Sequence, residues 1–206
     1  MGELLKLAPR PVVPEPELDL IEACRRGERA ALSAVFRAHT PFLERLLLRL
    51  LGPRAEVEDT LQATFLGAIT AFPRFRGEAQ VRTWLARIAV RTAHDRLRRA
   101  EHRRRGELPE HELADDDALA RQGEHAVHTR RQLERLYHHL DALGAKKRVA
   151  FVLHVLDGHP LEEVAALMGA SPAATKSRVF WARRELLRRA ARDPLLRGLV
   201  ARGGTP

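Results

Sequence analysis

Apolar residues along this chain recur at spacings of three and four, the period of a helix with one buried face, and no segment alternates as a half-buried strand does. The clearest run is Val57, Leu61, Phe65, Ala68 and Phe72, with Glu58, Asp59 and Gln62 on the other side. It predicts an amphipathic helix that stops at Pro73, where the missing N–H ends the backbone ladder. Before it, Leu18, Ile21 and Cys24 form one apolar series and Leu32, Val35 and Phe36 another. A leucine-rich helix is predicted from Pro41 to Leu51, closed by Gly52-Pro53. Beyond Pro73, Phe75-Arg76-Gly77-Glu78-Ala79-Gln80 reads as a loop, and a further helix runs from about Val81 to Arg99. Residues 1–16 hold Pro9, Pro11, Pro14 and Pro16 and read as an extended leader.

The helical period returns later in the chain. Leu133, Leu136, Leu140 and Leu143 mark one helix, Val149, Val152, Leu153 and Leu156 a second, and Asp157-Gly158-His159-Pro160 a turn. The fold class is therefore all-α, with two small helical domains over residues 17–105 and 125–192 and a C-terminal tail over 193–206.

Charge narrows the choice of partner. Among 206 residues the formal net charge is +9, which suits a polyanion such as nucleic acid. Between 106 and 124 the balance reverses: Glu107, Glu110, Glu112, Asp115, Asp116, Asp117 and Glu124 stand against Arg121 alone. This stretch reads as a flexible acidic linker. Cys24 is the one cysteine, which leaves no disulfide framework and no cysteine-based zinc site. No early apolar run has the flanks of a signal peptide, and none approaches the roughly 18 residues of a membrane span, so a cytoplasmic location is expected. Ten histidines invite a metal or hydrolase reading, and His125 and His128 lie one helical turn apart. Yet the chain has no His-Glu-x-x-His, no Gly-rich phosphate loop and no nucleophile elbow. No enzymatic activity, cofactor, metal or small-molecule substrate is expected.

The last helical pair carries the most specific local signal. Leu161, Val164, Ala165 and Met168 give a short helix its apolar face, and Gly169 follows where a left-handed residue closes the final turn. Ser171 is suited to cap the next helix and Pro172 to occupy its first position. Helix, short turn and helix make a helix-turn-helix. In the second helix Thr175, Val179, Ala182 and Leu186 should pack inward, leaving Lys176, Ser177, Arg178, Trp181 and Arg184 outside for a major groove.

Three blocks, taken together, resemble the extracytoplasmic-function (group IV) sigma factors of bacterial RNA polymerase. They are Glu58-Asp59-Thr60-Leu61-Gln62-Ala63-Thr64-Phe65; Phe75-Arg76-Gly77-Glu78-Ala79 with Thr83-Trp84-Leu85-Ala86-Arg87-Ile88-Ala89; and Leu161-Glu162-Glu163-Val164-Ala165 with Thr175-Lys176-Ser177-Arg178. The resemblance implies a transcription initiation factor. Its region 2 domain would dock on core polymerase through Asp59 and Gln62. It would also open the −10 element through Phe75, Arg76, Gly77, Glu78, Ala79 and Gln80, with Arg87, Arg91 and Arg96 on phosphates. The region 4 helix-turn-helix would read the −35 element through Ser171, Ala174, Lys176, Ser177, Arg178 and Trp181. Core RNA polymerase, promoter DNA and an anti-sigma factor are the implied partners. Trp84, spaced with Ile88, reads as core rather than as a base platform. The chain departs from the family pattern at Arg91, where Asn is frequent, at Ala174, where Thr is, and at Trp181, where Arg is. The rival reading, an operator-binding regulator, leaves residues 57–105 without a role.

Overall fold

The computed structural model describes residues 15–52, 56–106 and 124–198, and within these it contains eight α-helices and no strand. They are α1 (Glu15–Arg25), α2 (Arg29–Leu51), α3 (Glu56–Ala71), α4 (Val81–Gly106), α5 (Glu124–Asp141), α6 (Ala145–Phe151), α7 (Leu161–Leu167) and α8 (Pro172–Ala190). A 3₁₀ turn, Phe72–Arg74, follows α3, and a π-helical turn, Val152–Leu156, prolongs α6. The chain divides into two compact units, Met1–Ala93 and His94–Pro206, so the division falls inside α4. The sequence reading placed its break in the acidic stretch, of which residues 107–123 lie outside the described residues, as do residues 1–14 of the leader. In the second unit Glu101 accepts a hydrogen bond from the Ala145 N–H at 3.2 Å, which groups the last turns of α4 with α6.

Two proline expectations need correction. Pro16 lies inside α1, near its start, where a missing N–H costs nothing because no helical carbonyl lies four residues before it. Pro41 does not begin a helix but sits within the continuous α2. Buried leucines on both sides of it, Leu32 before and Leu43, Leu46, Leu47 and Leu50 after, hold the two stretches on one core. Each fully buried leucine contributes about 1.5–3 kcal/mol, which offsets one lost backbone hydrogen bond. Gly52 closes the helix at φ 87°, its N–H bonded to the Leu48 carbonyl at 2.8 Å.

The first unit packs α3 and α1 against α2, and Arg82 of α4 lies over the Phe42 ring of α2. Leu61, Ala68 and Phe72 of the predicted stripe are buried, and Phe65 stacks on Phe36 with centroids 4.3 Å apart. Thr60 and Thr64 are fully buried as well, their hydroxyls satisfied by donating to carbonyls one turn back. At Gly67 a Cβ would stand 3.4 Å from the Ile88 side chain of α4, an ordinary van der Waals contact.

In the second unit α8 packs on α6, α7 and α5. Leu140, Val149, Val152, Leu153 and Val164 are wholly buried, while Leu133 and Leu156, expected inside, are nearly half exposed. Lys147 of α6 holds Glu185 of α8, and Arg189 shares that carboxylate. Burial alone would raise the Glu185 pKa, but these two cations bring it below its ordinary value.

The unit does not end at Arg192. Asp193 is 4% exposed; one carboxylate oxygen accepts from Arg135 at 2.9 Å and is 2.7 Å from His139 Nε2, and the other accepts from the Leu195 N–H. Leu196 follows it in, lining an apolar cavity of about 310 Å³ with Leu136, Phe151, Val155 and Leu187. Burial works to raise the Asp193 pKa, yet the bonds from His139, Leu195 and Arg135 outweigh it and leave the pKa depressed. A depressed carboxylate adds stability above its unfolded pKa, and that stability is lost as pH falls through the folded value. Asp193→Asn should therefore cost about 1–3 kcal/mol at neutral pH. In denaturant titrations the gap from wild type should begin to shrink below about pH 4, the ordinary carboxylate value, and go on shrinking until pH passes the depressed folded pKa.

Candidate nucleic-acid interface

Burial of the α3 stripe leaves one face of that helix outward. Asp59, Gln62, Leu66 and Ile69 follow at spacings of three, four and three, and all four are exposed. Leu66 is 65% exposed, too far out for core packing, and it turns the predicted polar pair into a mixed polar and apolar patch. Asp59 and Gln62 stand out by spacing in the sequence, whereas Leu66 and Ile69 do not.

After α3 the chain turns through Phe72–Arg74 into the predicted loop. Phe75 was expected among the DNA-contacting residues, but its ring is 5% exposed and packs against Phe72 and Trp84, with centroids 6.0 and 4.8 Å away. An aromatic ring so enclosed offers no face to a base. Trp84 packs in the same cluster, 4.6 Å from Phe72, as its spacing suggested. The outward groups are Arg76, Glu78 and Gln80, with Gly77 and Ala79 between them. Gly77 has φ 71°, a conformation a side chain resists. Arg76 and Glu78 approach to 3.9 Å, an exposed pair of little energetic weight. At the far end the Gln80 carbonyl accepts the Trp84 N–H at 3.0 Å, which starts α4.

On α4 the exposed Arg87 and Arg91 are one turn apart and share a face. Arg96 does not join them. It is nine residues beyond Arg87, about half a turn around the helix, and half-buried. Arg25, which no sequence pattern singled out, donates from Nε to the Phe75 carbonyl at 2.8 Å, and its Nη2 donates to the same oxygen. Fifty residues separate the partners, so no local periodicity links them.

The helix-turn-helix forms as expected from its turn residues. Gly169 takes φ 58°, and the Ala170 N–H reaches back to the Ala165 carbonyl at 2.9 Å. Ser171 caps α8, its hydroxyl accepting from the Ala174 N–H at 3.2 Å. Thr175, Ala182 and Leu186 face inward. Lys176, Ser177 and Trp181 are exposed, whereas Ala174 and Arg178 sit half-buried at the edge of the packed side. Trp181 is 52% exposed, with Phe180 edge-on at 5.2 Å and the Arg184 guanidinium 5.7 Å from its ring. Phe180 is as open as its neighbour and belongs to this surface, though the sequence reading passed over it. No acidic residue stands in the first turn of α8, so its positive dipole end is uncompensated. Among the described residues no group of three or more His, Cys, Asp or Glu side chains is placed to hold a metal, and no helix is long and apolar enough to cross a membrane.

With these surfaces defined, comparison with known proteins is specific. The Sigma-70 region 2 family matches residues 35–103, and the Sigma-70 region 4 family matches residues 133–186. The chain is 32% identical to the ECF RNA polymerase sigma factor SigM of Mycobacterium tuberculosis, over 84% of its own length and 83% of that protein's. It is 29% identical to the RNA polymerase sigma-H factor of Pseudomonas aeruginosa, covering 89% and 97% respectively. Among solved structures it resembles CnrH in complex with the cytosolic domain of CnrY, with 25% identity, 85% of this chain and 97% of that chain covered, and a TM-score of 0.57. It also shares the fold of the sigma factor RpoE solved with the anti-sigma factor NepR from Bartonella quintana, at 23% identity, 76% and 94% coverage and a TM-score of 0.53.

The buried position of Phe75 has a measurable consequence. Phe75→Ala should lower unfolding free energy by about 3–5 kcal/mol, the usual cost of emptying an aromatic site. Calorimetry of the free protein would reveal it; an unchanged melting temperature would return that ring to the surface.

Proposed function

This chain belongs to the extracytoplasmic-function RNA polymerase sigma factors, and from that premise we propose how its parts share promoter recognition. It is a transcription initiation factor that directs RNA polymerase to promoters. The outward face of α3, Asp59 and Gln62 flanked by Leu66 and Ile69, docks on core polymerase. A carboxylate and an amide beside exposed apolar groups suit a partner helix with basic side chains, the polar members fixing register. The loop Arg76–Gln80 captures a base of the opened −10 element, and Arg87 and Arg91 hold the strand through phosphates. Phe75 serves this site from below as an anchor, and Arg96 is left out of it.

In the second unit α8 enters the −35 major groove. Lys176 and Arg178 bond base edges or phosphates, Ser177 and the capped start at Ser171 approach the backbone, and Trp181 and Ala174 supply apolar contact. An anti-sigma protein that covers the exposed Leu66 and Ile69 is the regulator of such a chain, and the cytoplasm is where it acts. It performs no catalysis of its own and needs no cofactor.

One observation carries this reading: the capped, outward-facing basic helix α8 occurs in the same chain as the mixed face of α3. An operator-binding regulator needs the first alone. Asp59→Ala should weaken binding to core polymerase while leaving the unfolding free energy within about 0.5 kcal/mol of wild type, as expected at an exposed position. A sharp loss of stability would make that carboxylate structural. Lys176→Ala and Arg178→Ala should each cost about 1–3 kcal/mol on the preferred −35 duplex and less on scrambled duplexes. Equal loss on every duplex, in a competition assay with the holoenzyme, would reduce both to phosphate contacts.

A further inference from the structure

We propose that Arg25 is a positioning residue for the promoter-opening loop, acting through the carbonyl of Phe75. This rests on assigning the loop Arg76–Gln80 to the −10 strand, and it adds a residue from a different helix to that function. Arg25 is the last residue of α1, and its side chain is about one-third exposed, at 34%. Its Nε and Nη2 both donate to the Phe75 oxygen. The remaining terminal nitrogen stands 3.9 Å from the exposed Glu22, an ion pair of little weight, so the two bonds to the Phe75 oxygen set the direction of the guanidinium.

Phe75 is thereby held at three points. Its ring lies in the Phe72 and Trp84 cluster, its N–H donates to the Phe72 carbonyl at 2.9 Å, and its carbonyl receives Arg25. The peptide that leads into Arg76 is then fixed in direction, and the far end of the loop is fixed where α4 begins, with Val81 3% exposed. Between these anchors only residues 76–80 remain to be ordered when a base is captured. α1 is in turn seated by Ile21 and Cys24, 3% and 1% exposed. The path therefore runs from the buried side of α1, through one side chain, to the start of the loop.

Two features separate this role from a phosphate contact. The donors nearest the loop are already spent on a backbone oxygen. A planar fork is also required, because an ammonium is a point charge and does not reproduce the paired, directional donation of a guanidinium. Lysine should therefore fail where charge alone would have sufficed.

The test uses holoenzyme assembled from core polymerase and the full chain, bound to a fork-junction DNA pool. The pool carries a randomised −35 duplex and a randomised single-stranded −10 region. Wild type should enrich defined bases in both regions. Arg25→Ala and Arg25→Lys should both lose about tenfold in −10 base enrichment, since an unanchored loop must be ordered at each capture. Enrichment at −35 and binding to core polymerase should stay at the wild-type level. The proposal is overturned if Arg25→Lys selects −10 bases like wild type, or if both variants do. It is also overturned if −10 selection, −35 selection and polymerase binding fall together with the melting temperature, which marks a structural residue. A wild-type chain that binds core polymerase but enriches no −10 base as holoenzyme overturns the loop assignment itself, a result distinguishable from the others.

Discussion

A helix buries one stripe of side chains, and that burial decides which residues face outward; the outward faces of α3 and α8 follow from this constraint. In α3, Leu61, Ala68 and the hydroxyl-satisfied Thr60 and Thr64 are fixed inside, so Asp59, Gln62, Leu66 and Ile69 have no choice but solvent or a partner. In α8, Thr175, Ala182 and Leu186 play the same part, and Lys176, Ser177 and Trp181 are presented as a result. The contacts that aim these faces are apolar packing and threonine hydroxyls bonded within their own helices. A protein built this way is free to vary its promoter and partner without altering its core.

Turns then decide how accurately the faces are aimed. Gly169 with its left-handed backbone and the Ser171 hydroxyl fix the angle at which α8 leaves α7, using a handful of atoms. The loop after Phe75 depends on a similar economy: Gly77 permits its bend, while the Phe72, Phe75 and Trp84 cluster and the Arg25 guanidinium hold its base. Such a loop is open to solvent over its outer residues yet fixed at both ends. Rigid ends lower the entropy that must be lost when a loop grips an extruded base.

Much of this was legible from residue spacing, and the exceptions share a cause. The helix-turn-helix could be read because its signals, Gly169, Ser171 and Pro172, are adjacent and act locally. Helical character was equally plain in the stripe from Val57 to Phe72. Pro41 misled because local propensity sets a cost that a long buried leucine face overrides. Phe75 misled because an aromatic in a loop offers two readings, and only the approach of Phe72 and Trp84 chooses between them. Arg25 and Asp193 were silent in the sequence, since their partners lie fifty or more residues away. Phe180 lay one position from a residue already singled out, and only its exposure showed that it belongs to the same surface.

Together these features belong to a transcription initiation factor, for which we have proposed two aimed surfaces for DNA and one for core polymerase. Run-off transcription measures that most directly: purified bacterial core polymerase acting on a fragmented chromosomal library, with and without the full chain, followed by mapping of transcript 5′ ends. Addition of the chain should create a small set of discrete start sites sharing a −10 and a −35 sequence. Start sites that are unchanged by its addition, from a polymerase otherwise shown to be active, would contradict it.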